Sequence, residues 1–444
     1  MKTTISFKTI NKLAIPATIA GIAEPILSIT DTAIVGNIPV DGLESLAAAG
    51  IVGSFLSMLI WVLGQTRSAI SALIAQYLGA ERLDEIKTLP AQVIYLNIAL
   101  SILILLSTVF FVDDIFRLMN ASGKILQYCI SYYSIRVWGF PLTLFVFAVI
   151  GIFTGLQNTF WPMLIAITGA MLNIVLDFIL VFGVDGILEP LYLEGAAWAS
   201  LIAQSIMALM AFVLLLMKTD IRLRLQFPVH QELRRIIGMS LNLFVRAIAL
   251  NVALILAVRE ATDLGDKYIG AHTIAINLWL FSAFFIDGYA AAGNIMGGRL
   301  LGAKDYHGLW RLTKKITQYG LMVSLILVLI GCLFYKPLGD IFSNDTVVLE
   351  TFYSIFFILI IGLPINSTAF VLDGLFKGLG EMEYLRNVLL YATFLGFIPM
   401  LYFGKYLGWG LYGIWIALTV WMIIRGGALI IKFRQKFRPL TQND

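Results

Sequence analysis

Charge is scarce in this 444-residue sequence: Asp, Glu, Lys and Arg make up 13% of it, about half the roughly 25% of a soluble domain. Hydrophobic residues make up 59%, and the mean hydropathy is +0.89. So few ionic side chains cannot cover the surface of a water-soluble fold of this size. A soluble enzyme, a nucleic-acid binder and a disordered chain are excluded, and a multi-spanning membrane protein remains. Cysteine is nearly missing as well. Cys129 and Cys332 both lie in apolar segments, giving no disulfide framework and no CxxC metal pair. Three scattered histidines, His230, His272 and His307, match no metal spacing such as HExxH. Asp113-Asp114 stands without further acids, so no DDxxD-type motif of a membrane-embedded transferase is present. No enzyme activity, metal-dependent hydrolysis or cofactor is expected.

What is abundant is long apolar runs. A bilayer core of about 30 Å needs about 20 apolar residues per helix. Candidate spans fall near 13–36, 46–77, 90–111, 126–156, 161–183 and 195–217, then 236–258, 268–300, 316–334, 350–376, 385–404 and 409–431. The runs are too long and uniform for barrel strands, so the fold class is an all-α polytopic membrane protein of twelve transmembrane helices. Lys2, Lys8 and Lys12 precede a long apolar run that lacks a small-residue cleavage site, which reads as a retained first span. With both termini inside, 21 of the 31 basic residues fall on the cytoplasmic side. Such a bias sets both termini in the cytoplasm.

The sequence repeats itself. Leu78-Gly79-Ala80 returns as Leu301-Gly302-Ala303, Gly139-Phe140-Pro141 as Gly362-Leu363-Pro364, and Phe153-x-Gly155-Leu156 as Phe376-x-Gly378-Leu379. All three pairs share one offset, 223 residues. The expected organisation is two pseudo-symmetric six-helix bundles: an N-terminal lobe over 1–217, a basic cytoplasmic linker over 218–235, and a C-terminal lobe over 236–444 with a short basic tail. Duplicated bundles of this kind hold a substrate cavity between lobes and work by alternating access.

A carboxylate in hydrocarbon costs at least about 2.5–3.5 kcal/mol and needs a reason. In the first lobe Glu24 precedes Asp31 by two helical turns, and Asn173 precedes Asp177 by one. Ser200 sits early in the sixth span among small residues that permit close helix approach. Carboxylate, amide and hydroxyl oxygens together suit either a shared proton or a hard monovalent cation such as Na⁺ at Asp31, Asn173 and Asp177. At the repeat offset Asp31 corresponds to Leu254 and Asn173 to Gly396, so the cluster belongs to one lobe. Asp287 and Asp373 are lone acids of the second lobe and candidates for a second site. Arg67, Arg136, Arg246 and Arg425 also lie within spans, where pairing or snorkelling is the expectation. Phe, Tyr and Met are plentiful, and a cavity lined by them would admit amphipathic cations.

Pro25-Ile26-Leu27-x-Ile29-x-Asp31-Thr32-Ala33-Ile34-Val35-Gly36 resembles the first-helix motif of multidrug and toxic compound extrusion (MATE) transporters, DinF branch. Asn173-Ile174-Val175-Leu176-Asp177 and Gly195-Ala196-Ala197-Trp198-Ala199-Ser200 resemble its fifth- and sixth-helix motifs, and Asp287-Gly288-Tyr289-Ala290 and Leu372-Asp373-Gly374 fit it too. The resemblance implies a monomeric secondary antiporter of the bacterial inner membrane. It would export amphipathic or cationic organic compounds in exchange for H⁺ or Na⁺, with no nucleic-acid partner. By motif position Asp31, Asn173, Asp177 and Ser200 would form the ion site, and Pro16 would be the hinge of the first helix. Glu24 departs from the family pattern. The alternative is a flippase for lipid-linked saccharides or lipids, which would need Arg67, Arg136 and Arg246 to converge.

Overall fold

The computed structural model describes residues 4–221 and 223–441, the side chains of Glu24 and Trp61 excepted. Among these residues the chain is helical, with a single isolated bridge, Val184 to Leu188. The first half holds α1 (Phe7–Gly36), α2 (Gly42–Leu63), α3 (Thr66–Gly79), α4 (Leu89–Phe110), α5 (Val112–Leu118), α6 (Gly123–Arg136), α7 (Gly139–Gly155), α8 (Phe160–Phe182) and α9 (Tyr192–Lys218). The second holds α10 (Gln231–Leu264), α11 (Asp266–Gly302), α12 (Tyr306–Asp340), α13 (Thr346–Gly378), α14 (Met382–Tyr391), α15 (Ile398–Tyr406) and α16 (Leu411–Phe437). Among the described residues eleven helices are long and apolar enough to cross a bilayer, or twelve when the bent pair α6–α7 is one span. Helices close every backbone hydrogen bond within the segment, which hydrocarbon demands. Many large apolar side chains stay exposed, among them Phe110, Leu118, Leu329 and Leu333; on a soluble protein such a surface would aggregate, whereas lipid covers it.

Three runs that read as unbroken are interrupted, each for a local reason. The second span divides at Gly64, where a Cβ would stand 2.6 Å from the Ile60 carbonyl and 2.7 Å from the Phe147 ring. The fourth bends by 47° between α6 and α7, just ahead of Pro141, which lacks an N–H and is tolerated in a first turn. Between α14 and α15 the chain widens into a π turn over Ala392–Phe397. Pro399 follows at once and cannot donate to the preceding turn, and such bulges relieve that mismatch. Helix starts are capped where they face water: the Asp305 carboxylate accepts from the Gly308 N–H at 2.6 Å, and Asp345 from Val347 at 2.8 Å.

The chain separates into two compact units. One comprises 1–18, 75–81 and 238–444, the other 19–74 and 82–237. α1 therefore changes unit after Thr18, and the end of α3 belongs with the C-terminal half. Within the second unit the linker is tied to α4: Gln92 donates to the Gln226 carbonyl at 2.8 Å and accepts from the His230 N–H at 2.9 Å, while the Tyr95 hydroxyl donates to Leu223 at 2.9 Å.

The repeat seen in the sequence recurs in the packing. In one unit Gly151 and Gly155 of α7 lie against the backbone of Arg67 and Ser71, so a Cβ would stand 2.8 Å from the Arg67 carbonyl and 3.0 Å from that of Ser71. In the other, Gly374 and Gly378 of α13 lie against Ala290 and Asn294, at 2.2 Å and 2.1 Å from their carbonyls. Every one of these positions is shifted by 223 residues from its counterpart. Small residues four apart let two helix backbones touch, which is how helices associate without a hydrophobic driving force between them. One pair goes further. A Cβ on Gly79 would meet the Arg299 carbonyl at 1.8 Å, and one on Gly302 the Gln76 carbonyl at 1.9 Å. Gln76 and Arg299 are themselves repeat partners, so this contact is reciprocal.

At the loop between α1 and α2, Asp41 adopts a left-handed backbone, φ 49°, which Asp tolerates better than most residues. Its carboxylate accepts from the Tyr128 hydroxyl at 2.7 Å and from Lys124 at 3.1 Å. The Tyr128 hydrogen bond, then the Lys124 ammonium, hold its pKa below the ordinary carboxylate value. A depressed folded-state pKa contributes stability that is present above about pH 3.9, the unfolded value, and lost as pH falls through the lower folded one. Asp41→Asn should lower the thermal midpoint slightly at pH 7, with the gap from wild type narrowing towards pH 3. An equal gap at both pH values would contradict this.

Candidate ion-coupling site

Four helices of one unit assemble the first-lobe cluster. Asn173 and Asp177 lie one turn apart on the buried face of α8, exposed by only 3% and 1%. Asp31 reaches them from α1. The Asn173 Nδ2 donates to Asp31 Oδ1 at 3.2 Å and to Asp177 Oδ2 at 2.5 Å, so one amide bridges both acids. Asp177 Oδ1 is buried and has no partner among the described residues. Leaving a charged acceptor unsatisfied in a dry interior is strongly unfavourable. That oxygen therefore marks where a proton or a small cation would be bound.

α6 and α9 complete the surroundings. Tyr132 is buried, and Arg136, one turn on, places its guanidinium 5.8 Å from the Tyr132 ring centre. The field of Arg136 reaches both acids. Among the described residues its Nε is buried without an acceptor, and Oε1 of Gln204 is buried without a donor. Arg136 and Gln204 line one small pocket with Leu56, Ile60, Phe140 and Thr143. Gly139 leaves room for this arrangement: a Cβ there would fall 1.7 Å from Gln204 Oε1, and the Gln204 side chain would have to move aside.

Of the residues singled out by sequence, Asp31, Asn173 and Asp177 come together. Ser200 is buried on α9, yet no hydrogen bond joins it to the acids among the described residues. The Glu24 side chain lies outside the described residues. Pro16 sits within an unbroken α1, two residues before that helix changes unit. Arg136 and Gln204 were not assigned to the site from sequence; the i, i+4 pair Tyr132 and Arg136 was the available signal.

The second-lobe acids differ. Asp373 on α13 is buried and receives Arg246 Nη2 of α10 at 2.5 Å and Lys377 Nζ at 3.2 Å, while Arg425 Nη2 of α16 stands 3.9 Å away. Both its oxygens are already engaged by cations. Asp287 on α11 acts electrostatically on Lys377. Within their own units, Arg67 lies over the Phe147 ring, Arg136 over the Tyr132 ring, and Arg246 pairs with Asp373. Among the described residues no cluster of three His, Cys, Asp or Glu side chains fits a resident metal.

If the amide bridge orders the two acids, Asn173→Ala should slow ion-driven transport by about tenfold or more while Asn173→Ser, whose hydroxyl can still donate, keeps part of it, since a hydrogen bond to a buried charged group of this kind is worth on the order of 1–3 kcal/mol. Initial rates in proteoliposomes would decide; an unaltered Asn173→Ala rate would show that the bridge is incidental.

Among the described residues, eleven or twelve apolar helices in two repeats, with a buried acid oxygen left unpartnered in the first, fit a multi-pass membrane transporter. The family comparison agrees: a family model described as MatE matches residues 16–179 and 243–403. This chain belongs to the MATE family of transporters, and it is not an enzyme. It is 26% identical over 449 residues to DNA damage-inducible protein F of Escherichia coli K12, covering 99% of this chain and 94% of that one. It is 31% identical over 304 residues to Protein DETOXIFICATION 43 of Arabidopsis thaliana, covering 66% of this chain; the match spans 54% of that longer relative. Its fold matches a crystal structure of MATE in the bent conformation with TM-score 0.90, at 23% identity over 98% of this chain and 96% of that one.

Proposed function

We propose that the protein is a secondary antiporter that exports amphipathic, often cationic, organic compounds in exchange for H⁺ or Na⁺ entering the Asp31–Asn173–Asp177 cluster. The observation that carries this reading is one buried amide holding two carboxyl groups together while Asp177 Oδ1 has no partner among the described residues. Two acids this close repel when both are ionised, and a proton or a monovalent cation relieves the strain. Binding free energy released in this way biases one conformation over another, which is all that coupling requires. Ser200 would add a hydroxyl oxygen when α9 and α1 approach, and Glu24 a further carboxylate.

Pro16 is a suitable hinge. It deprives α1 of one backbone hydrogen bond close to where the helix passes from one unit to the other. Lobes at 1–217 and 236–444 joined by the 218–235 linker would then alternate access. The expected setting is a bacterial inner membrane with both termini cytoplasmic, the protein acting as a monomer.

The test is transport in proteoliposomes containing the purified full chain, with an imposed Na⁺ or H⁺ gradient and a panel of organic cations and bile-salt-like anions. At least one gradient should drive uptake of at least one compound above protein-free vesicles. Transport that ignores both gradients would sink the antiport reading.

A further inference from the structure

A second charged cluster, in the C-terminal half, is mainly basic. Arg246, Lys377 and Arg425 converge on Asp373 from α10, α13 and α16, at 2.5, 3.2 and 3.9 Å. Asp287 acts on Lys377 as well. Three cations thus face two acids, and a net positive charge is left inside a helix bundle. Arg425 is the least satisfied of them. Arg425 as a whole is 3% exposed. Its single hydrogen-bond acceptor among the described residues is the Met422 sulfur, at 3.1 Å, a weak acceptor. Its faces lie over the Trp421 ring at 4.8 Å and the Phe370 ring at 5.8 Å. Ring faces satisfy the flat side of a guanidinium through cation–π contact but leave its in-plane N–H groups without acceptors.

Nothing in the repeat explains the cluster. The positions equivalent to Arg246, Asp373, Lys377 and Arg425 at the 223-residue offset are Ala23, Ile150, Thr154 and Ile202. The glycine seams are common to both repeats, whereas these charges are held by one, as the Asp31–Asp177 acids are held by the other. A buried surplus cation is strongly unfavourable unless an anion pairs with it. The missing group must be a monoanion, and a planar one with two oxygens matches the guanidinium fork.

We propose that the Arg246–Lys377–Arg425 cluster is an anion subsite, taking the carboxylate of an organic acid or a halide against the open edge of Arg425. The subsite does not depend on ion coupling at the other lobe, so it stands or falls separately from the antiport reading.

Binding of radiolabelled benzoate to the purified full chain, measured by scintillation proximity without any gradient, tests it. Benzoate should bind saturably, unlabelled benzoate should displace it, and the neutral methyl ester should not. Arg425→Gln should weaken binding tenfold or more, with Arg425→Lys in between; were Arg425→Gln not to yield monodisperse protein, Lys377→Gln provides the same readout. Displacement by chloride at constant ionic strength would identify a subsite open to inorganic anions, and its failure one confined to carboxylates; either result supports the proposal. Non-saturable binding, equal displacement by the ester, or full affinity in Arg425→Gln would overturn it.

Discussion

Asp177→Asn should abolish gradient-driven efflux, and Asp31→Asn should do the same, with each variant still inserted and monodisperse. The expectation follows from shape and charge together. Asn is nearly isosteric with Asp, so the Asn173 amide keeps an acceptor on each side and the helix contacts are undisturbed. What is lost is the negative charge and the exchangeable proton. Without them the unpartnered position at Asp177 Oδ1 no longer attracts a cation, and the pair no longer stores the repulsion that an incoming ion discharges. A loss of at least about a hundredfold in initial rate corresponds to about 2.7 kcal/mol or more, approaching the roughly 3–5 kcal/mol cost of removing one charged partner from a buried set. Downhill, gradient-independent leakage of substrate should persist. Normal ion-driven rates in both variants would place the coupling elsewhere.

The second large effect concerns folding rather than transport. Gly302→Val should leave little stable protein, because its Cβ would stand 1.9 Å from the Gln76 carbonyl, a backbone atom that no rotamer change can move aside. Gly79→Val should be equivalent, since the contact is reciprocal and its Cβ would meet the Arg299 carbonyl at 1.8 Å. Overpacking a core typically costs about 1–3 kcal/mol, and more where backbone must shift. Gly427→Ala is the control: nothing lies within 4 Å of its Cβ position. Thermal unfolding followed by size-exclusion fluorescence would compare the three. A Gly302→Val protein as stable as Gly427→Ala would mean that the helices can separate there without penalty.

Much of this architecture could be read before any coordinates. Apolar run lengths determine the spans, because hydrocarbon thickness and helix rise are fixed quantities, and the 223-residue offset picks out the very glycines that carry the helix seams in both units. The acids Asp31 and Asp177 were visible for the same reason: an ionisable group in an apolar run is conspicuous. Breaks within spans were harder. The break at Gly64 depends on the Phe147 ring pressed against it, which linear hydropathy does not contain, whereas the bend at Pro141 and the π turn before Pro399 are marked by their prolines though not in their extent. The cationic partners of Asp373 were obscured too. Lys377 alone, four residues along the same helix, was predictable as a partner, whereas Arg246 and Arg425 arrive from helices distant in sequence. The assignment of Thr18 and Gln76 to the C-terminal unit had no sequence signal at all.

That last feature bears on synthesis. Asn11 accepts a hydrogen bond from the Tyr289 hydroxyl at 2.9 Å, Lys315 donates to the Ile5 carbonyl at 2.8 Å, and Gly288 fits against Ala14 and Thr18. The first turns of α1 thus find their mates only once the chain has grown through residues 288–315, which at about 5–20 residues per second means on the order of fifteen seconds or longer. Throughout that interval the opening segment must be sheltered by lipid or by the insertion machinery, and a stalled or truncated product would present it, unmated, to the quality-control proteases of the membrane.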